Sequence, residues 1–168
     1  MNIEIYPLEK ILVDHVAIFF GMEKSIVDTT IGNGQLIGNR YYYLNNEMAI
    51  DYNNNKVEFI EFLGGADGML KPIIYGISAF ETQANHLFEV LKKQNNGVVG
   101  DHENGYSYQF ENISVGIYRE AVPQEVEEMI EEAANFGNPM SNAEIQHEMK
   151  RSNYWATIGV GIAGYYQR

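Results

Sequence analysis

Hydrophobic residues recur along the chain with two different periods. Alternation with a period of two, typical of half-buried strands, predicts strands at 13–20, 41–44, 48–52, 56–63, 73–77, 106–110, 113–117 and 154–163. Apolar positions spaced three and four residues apart predict helices at 23–31, 81–93, 124–135 and 141–152. Glycine, asparagine and proline residues separate most of these segments and are typical of turns and helix ends.

The order of the predicted elements repeats once. Residues 13–65 and 73–120 both read as strand, helix, aromatic strand, short turn and aliphatic strand. A tandem duplication explains this order, although any βαββ unit has the same succession of elements. We expect a single α+β domain at 1–168, in which two βαββ(β) pseudo-repeats form antiparallel meander sheets with helices on one side. Residues 121–168 are predicted to form a C-terminal helix–helix–strand extension.

The last predicted strand has two unequal faces. Tyr154, Ile158 and Val160 lie on one face, whereas Gly159 and Gly161 leave the other nearly bare. A strand without side chains on one face lets another element approach its backbone closely. We therefore expect a second segment of protein to pack there.

The amino-acid composition of the chain excludes several kinds of chemistry and several classes of partner. The chain has no cysteine and carries 11 Lys and Arg against 23 Asp and Glu, a formal net charge of −12. The absence of cysteine excludes disulfides, thiol nucleophiles and cysteine-ligated metals. The acidic excess argues against nucleic acid and against an anionic membrane surface, because both are recognised through Lys and Arg. The N-terminal segment lacks a secretory pattern and no apolar run approaches about 20 residues, which predicts a cytoplasmic location.

The predicted helix 124–135 carries five glutamates and no basic residue. They are Glu125, Glu127, Glu128, Glu131 and Glu132. Like-charge pairs one helical turn apart cost about 0.2–0.5 kcal/mol each, and acids at the C-terminal end oppose the helix dipole. One interpretation is a solvated face that aids solubility, and the other is an acidic face that recognises a basic protein partner.

Tyrosine is the second unusual residue type, with 12 in the chain. Because neighbouring residues of a strand point to opposite sides, Tyr41, Tyr42 and Tyr43 place rings on both faces of their sheet. A sheet buried on both faces explains such a run, and so does a tyrosine exposed at a binding surface. The residues that we predict to contact a partner are Glu125, Glu128, Glu132, Tyr42 and Glu61.

Three short motifs are compatible with ligand or metal chemistry, but each also has a plain structural explanation. Residues 159–164 match G-x-G-x-x-G, yet the pattern lacks the following helix that would face a pyrophosphate. Glu144 and His147 form one E-x-x-H unit, whereas a di-iron bundle needs two such units and two further carboxylates. The segment 101–103, Asp-His-Glu, is either a set of metal ligands or a polar turn. No catalytic residue, metal ligand or cofactor is therefore assigned.

Two parts of the sequence resemble known families. Residues 20–32 follow F-G-M-x-x-x-x-V-x-x-x-x-G, which resembles the phrase that opens repeats in beta-lactamase-inhibitory-protein-like and small outer-membrane-assembly lipoprotein domains. Residues 51–61, 77–80 and 155–161 resemble a largely uncharacterised family of cytoplasmic proteins of low-GC Gram-positive bacteria, similar in kind to toxin-immunity proteins. The first resemblance implies repeats of short helices and a β-meander that bind protein without catalysis. The second implies an immunity function.

These observations lead to three hypotheses for the function. The first is a non-enzymatic protein-binding protein, an immunity protein that neutralises a basic toxin domain. The second is a small-ligand or metal-dependent enzyme that uses the acids near His102 or His147. The third is a structural homo-oligomer that buries its tyrosines in a symmetric interface.

Overall fold

Thirteen strands and four α-helices make up the protein, and the computed structural model describes all 168 residues. The strands are β1 (Asn2–Tyr6), β2 (Lys10–Val13), β3 (Val16–Phe19), β4 (Gln35–Ile37), β5 (Arg40–Tyr43), β6 (Met48–Asn53), β7 (Lys56–Phe62), β8 (Lys71–Ile74), β9 (Ile77–Ser78), β10 (Val99–Gly100), β11 (Ser107–Phe110), β12 (Val115–Tyr118) and β13 (Thr157–Gly161). The helices are α1 (Lys24–Ile31), α2 (Ala84–Asn95), α3 (Pro123–Asn135) and α4 (Asn142–Asn153).

The strands form two sheets of different size. The larger sheet has eight strands in the order β10-β11-β12-β13-β7-β6-β5-β4, and all its neighbouring pairs are antiparallel. The smaller sheet has five strands in the order β3-β2-β1-β8-β9. Its β1–β8 pair is parallel, the one exception to the predicted antiparallel arrangement. The fold is α+β, built on meander sheets.

The two predicted pseudo-repeats occupy corresponding places in these sheets. The first supplies β3 to the five-stranded sheet, then α1, then β4 to β7 of the larger sheet. The second supplies β8 and β9 to the five-stranded sheet, then α2, then β10 to β12. Strand β13 of the C-terminal extension lies between β7 and β12 and joins the two groups. A common origin of the two halves stays a prediction.

One hydrophobic core of 26 buried residues draws on both sheets and on helices α1 and α2. Helix α2 covers the β11 end of the larger sheet, where the Phe88 ring lies 4.7 Å from Tyr108 and 5.7 Å from Phe110 between centroids. The Trp155 indole N–H donates to the Ala84 carbonyl oxygen at 2.9 Å. This bond satisfies the one polar group of a large buried side chain and ties the C-terminal extension to α2.

The other face of the eight-stranded sheet, called here the outer face, is partly covered by the C-terminal tail (162–168). The Tyr165 ring stacks on Phe59 with centroids 4.5 Å apart. A Cβ atom on Gly159 would overlap the Phe59 ring, and one on Gly161 would lie 2.7 Å from the Cβ atom of Tyr165. The close approach predicted for the bare face of β13 is therefore confirmed.

The N-terminal hairpin of β1 and β2 was absent from the predicted elements. Its core residues Ile3, Ile5, Ile11 and Val13 alternate correctly, but no glycine or asparagine marks the turn between them. The turn instead places Leu8 in the left-handed region with a φ of 67°, a conformation that is rare for a bulky residue. The short edge strand β4 was not predicted either, because its residues are exposed and do not alternate.

Candidate functional site

Helix α3 lies at the periphery of the fold. Pro123 occupies its first turn, where the missing N–H removes no helical hydrogen bond, and Val126 is the one buried residue of the helix. Helix α3 packs mainly on α4. Ser141 and Glu144 have the S-x-x-E spacing of a capping box. Helix α4 begins with this motif, in which the Ser141 hydroxyl accepts from the Glu144 N–H and the Glu144 carboxylate accepts from the Ser141 N–H. The remaining surface of α3 faces solvent.

One flank of α3 carries both acidic and apolar side chains. These residues, called here the acidic stripe, are Glu125, Glu128, Met129, Glu132 and Phe136. Their spacing of i, i+3, i+4, i+7 and i+11 brings them to one side of the helix. All five are exposed, Met129 to 41% and Phe136 to 86%. The other two glutamates of the helix, Glu127 and Glu131, lie on the opposite flank.

The negative charge of α3 is not neutralised within the molecule. The chain forms nine ion pairs, and none of them involves a glutamate of α3. Glu125 accepts a hydrogen bond from the Tyr106 hydroxyl, and this bond is the main cause of the raised pKa of Tyr106. Glu128 accepts a hydrogen bond of 3.3 Å from the Gln124 amide. The helix therefore presents carboxylates that are solvated or bound to neutral donors.

Tyr42 and Glu61 lie on the outer face, in one row across the sheet. Tyr42 pairs with Ala49, which in turn pairs with Glu61, and both side chains are half-buried. Glu61 Oε2 accepts a hydrogen bond from Arg40 Nη1 at 2.6 Å, and Arg40 Nε also donates to Asp51 Oδ1 at 2.7 Å. One oxygen of the Glu61 carboxylate, Oε2, is thus used in an internal ion pair, while Oε1 has no partner in the protein.

The neighbours of Tyr42 point to the core side of the sheet. Tyr43 is buried, donates to Asp28 Oδ1 at 2.9 Å, and lies 2.7 Å from the Tyr52 hydroxyl. Tyr41 packs edge-on against Tyr52 with centroids 5.6 Å apart. Burial, followed by these two hydrogen bonds, raises the pKa of Tyr43 far above its ordinary value. Tyr42 is therefore the one member of the tyrosine run on the outer face, while Tyr43 attaches α1 to the sheet.

Tyr106 connects the acidic stripe to the chain just before β11. Its hydroxyl binds Glu125, and the next residue, Ser107, lies on the outer face opposite Tyr118 of β12. The structure thus brings the α3 residues next to the β11 and β12 end of the sheet. Tyr42 lies on β5, near the other edge, so the predicted contact residues form two groups rather than one.

The histidine motifs do not assemble a metal centre. No group of three or more His, Asp or Glu side chains is arranged to hold a metal ion. Glu144 of the E-x-x-H unit belongs to the capping box, while His147 lines a cavity of about 190 Å³. His102 is exposed in the loop between β10 and β11. Residues 159–164 are followed by a short 3-10 turn instead of a phosphate-binding helix.

Several residues of this surface were not found from the sequence. The i, i+3 spacing of Val126 and Met129 is typical of a packed helix face, but the structure leaves Met129 41% exposed. Phe136 follows Glu132 by one helical turn, and this spacing could have placed it on the stripe. No sequence pattern pointed to Arg40 or Tyr166 as residues of this surface. The contacts of Arg40 depend on the register of distant strands, and those of Tyr166 depend on the path of the C-terminal tail.

Comparisons with protein-family models, with curated proteins and with solved structures found no match to this chain. The resemblances seen in the sequence therefore stay predictions. None of the four helices combines the length and the apolar character that a membrane span requires.

Proposed function

We propose that this protein is a non-enzymatic protein-binding protein that recognises a basic partner through the acidic stripe, and that it serves as an immunity protein neutralising a basic toxin domain. The observation that carries the proposal is the row of exposed α3 glutamates without counter-charges, beside exposed Met129 and Phe136. In protein interfaces, apolar anchors supply affinity while charged groups select the partner and speed its approach. The acidic stripe offers both.

The stripe lowers the stability of the free protein. Glu128 and Glu132 repel each other across one turn by about 0.2–0.5 kcal/mol. Glu132 also lies in the last turn of α3, where negative charge opposes the helix dipole. Phe136 is 86% exposed and contributes almost no burial energy. A basic partner with an apolar surface would relieve all three effects, so these residues make sense as a binding surface.

The charge of the whole molecule supports the same kind of partner. A net charge of −12 attracts basic proteins and raises their association rate at low ionic strength. Exposed charges are screened over about 8 Å at physiological ionic strength. We therefore expect the affinity for the partner to fall as salt is added.

Matched charge reversals test this proposal. The stripe variant is Glu125→Lys/Glu132→Lys, and the control variant is Glu127→Lys/Glu131→Lys on the opposite flank. Both variants change the net charge equally, so a general electrostatic effect would weaken them alike. The proposal requires a basic toxin domain encoded beside the gene of this protein. That domain is the probe, and calorimetry gives the affinity at low and at physiological salt.

We expect the stripe variant to bind at least about 100-fold more weakly, since the new lysines repel a basic surface at the centre of the contact. The control variant should lose less than about fivefold. Equal losses in the two variants would reject the stripe as the contact, and an unchanged affinity in both would reject the proposal.

A homo-oligomer is a second candidate, favoured by an apolar patch on the five-stranded sheet. Tyr6, Phe19, Ile73 and Tyr75 lie on or beside the face turned away from the core and are 38–44% exposed. The Lys10 ammonium lies over the rings of Tyr6 and Phe19, at 5.3 and 5.5 Å from their centroids. Contiguous apolar surface marks interaction sites. Light scattering tests this candidate, because a molar mass of 19.1 kDa at high concentration would reject it.

A further inference from the structure

A cavity of about 340 Å³ opens on the outer face. Its floor consists of Gly116 and Gly159, which pair with each other across β12 and β13. Neither residue has a side chain, and the Tyr166 hydroxyl and the Phe59 ring lie close above their backbone. Glu61 and Gln109 stand at the two ends of the same row, three strand spacings or roughly 14 Å apart.

Hydroxyl groups form the walls of this cavity. Ser107, Tyr118 and Thr157 share the next row of the sheet, and Tyr166 reaches in from the C-terminal tail. Burial raises the pKa of Tyr166 well above its ordinary value, repulsion by Glu61 raises it further, and no hydrogen bond to the ring hydroxyl contributes. The Tyr166 hydroxyl therefore lies at the cavity without a partner in the protein.

The charged groups of the lining are all negative. They are Glu61 and Glu103. Glu61 Oε1 stays free while Oε2 pairs with Arg40, and the Glu103 carboxylate forms no ion pair. The smaller cavity of about 190 Å³ differs, because its lining includes the basic residues Lys150 and Arg151. The cavity on the outer face thus combines carboxylates, hydroxyls and tyrosine rings without a basic residue.

We propose that this cavity receives an arginine side chain of the basic partner. The inference rests on the proposed function and extends it, because it names the side chain by which a basic partner would bind the outer face. A guanidinium group presents five N–H donors in one plane and keeps its charge. The lining offers the complementary acceptors, and the rings of Tyr118 and Tyr166 provide surfaces for a planar cation. The volume lies at the lower end of the range for small-molecule sites and suits one side chain.

The lining favours a guanidinium over an ammonium group. An ammonium is a compact, strongly hydrated charge with three donors, and it gains little from several acceptors spread along a wall. Glu61 and Glu103 both line the cavity, and a flat guanidinium can donate two parallel N–H groups to one carboxylate while its other N–H groups reach the hydroxyls of the walls. We therefore expect arginine to bind better than lysine in the same peptide.

Titration of the full chain with blocked peptides tests the inference without the toxin. The probes are acetyl-Gly-Arg-Gly-amide and its citrulline and lysine counterparts, with free spermidine as the polyamine arm. Nuclear magnetic resonance follows the backbone amides of Gly116 and Gly159. We expect saturable shifts with the arginine peptide, binding at least about tenfold weaker with the neutral citrulline peptide, and weaker binding with lysine and spermidine.

Variants then assign the effect to the cavity. Glu103→Gln and Tyr166→Phe should each weaken arginine binding several-fold, since one removes a charge and the other a hydroxyl at nearly constant shape. Glu89→Gln removes an exposed carboxylate on α2 and should leave binding unchanged. Circular dichroism confirms that all three variants fold.

Three results would overturn the inference: no saturable shift at the two glycines, equal binding of arginine and citrulline, or tighter binding of spermidine. None of these results contradicts the proposed function, provided that the affinity for the toxin domain still depends on the acidic stripe. Conversely, arginine binding in the cavity together with a toxin affinity that ignores the stripe would reject the proposed function alone.

Discussion

The Tyr166 hydroxyl occupies the space that a Cβ atom of Gly116 would fill. Gly116 lies inside β12, and its pairing partner Gly159 lies inside β13. A Cβ atom on Gly159 would also come within 3.2 Å of the same hydroxyl oxygen. Two glycines on adjacent strands thus make room for one tyrosine of the C-terminal tail, and the floor of the cavity depends on this packing.

Gly116→Ala should therefore displace the Tyr166 ring and destabilise the fold by about 1–3 kcal/mol, the usual cost of overpacking. The free energy of unfolding in urea measures this cost. In a Tyr166→Ala background the same substitution has nothing to displace, so we expect a coupling free energy of at least about 1 kcal/mol between the two sites. Additive effects would show that the tail does not rest on Gly116 in solution.

The sequence predicted this contact only in part. The bare face of β13, marked by Gly159 and Gly161, correctly indicated a close neighbour, because small residues at alternate positions have a local meaning. It could not indicate that the neighbour is the tail of the same chain. That assignment depends on how the chain turns after Gly161, and no periodic pattern encodes such a turn.

Elsewhere in the chain, too, the correct predictions were those that rested on patterns within one short segment of sequence. The Ser141 capping box and the glutamate pattern of α3 follow from spacing along one helix, so the sequence was sufficient to predict them. The contacts of Arg40 with Asp51 and Glu61 require the register of β5, β6 and β7. Register depends on turns and on packing of the whole sheet, so these ion pairs were not predictable.

We expect even a conservative substitution of Arg119 to destabilise the fold. It is 6% exposed, its Nε donates to the Gly105 carbonyl at 2.8 Å and its Nη1 to the Ser152 carbonyl at 3.1 Å. The guanidinium carbon lies 4.9 Å from the centre of the Trp155 ring. Lysine lacks the planar fork that reaches both carbonyls, so Arg119→Lys should cost about 2–3 kcal/mol of unfolding free energy.

The control for this measurement is Arg168→Lys, which alters an exposed ion pair in the tail and should change stability by less than about 1 kcal/mol. Urea unfolding of both variants gives the comparison. If Arg119→Lys is as mild as the control, the buried guanidinium does not hold the loop at Gly105 to helix α4.

The contribution of Asp28 to stability should depend on pH. Burial alone would raise the pKa of Asp28, but its bonds with Lys24, Tyr43 and the Gly34 N–H outweigh burial and lower the pKa below its ordinary value of 3.8. A lowered pKa means that the carboxylate stabilises the fold at higher pH and loses this effect as the pH falls through the folded-state pKa.

We therefore expect Asp28→Asn to cost about 1 kcal/mol at neutral pH, and the difference from the natural protein to shrink as the pH falls below 3.8. Urea unfolding at a series of pH values checks the prediction. A difference that stays constant over the whole series would contradict it, since the charge of Asp28 would then be irrelevant.

Removal of charge from the end of α3 should stabilise the free protein. Glu131→Gln/Glu132→Gln eliminates two repulsive pairs, with Glu127 and Glu128, and takes one acid, Glu132, out of the last helical turn. We expect a gain of about 0.5–1 kcal/mol at low salt that diminishes as salt screens the charges. Urea unfolding at two salt concentrations measures it. A loss of stability would mean that these carboxylates make favourable contacts within the fold.

Carboxyl footprinting of a complex with the proposed basic partner tests the central claim most directly, because it labels each glutamate separately and mass spectrometry reports its reactivity. All five glutamates of α3 are exposed in the free protein and should react. In the complex, Glu125, Glu128 and Glu132 should become protected, while Glu127 and Glu131 on the other flank keep their reactivity. Equal reactivity of the two flanks in a saturated complex would contradict the account.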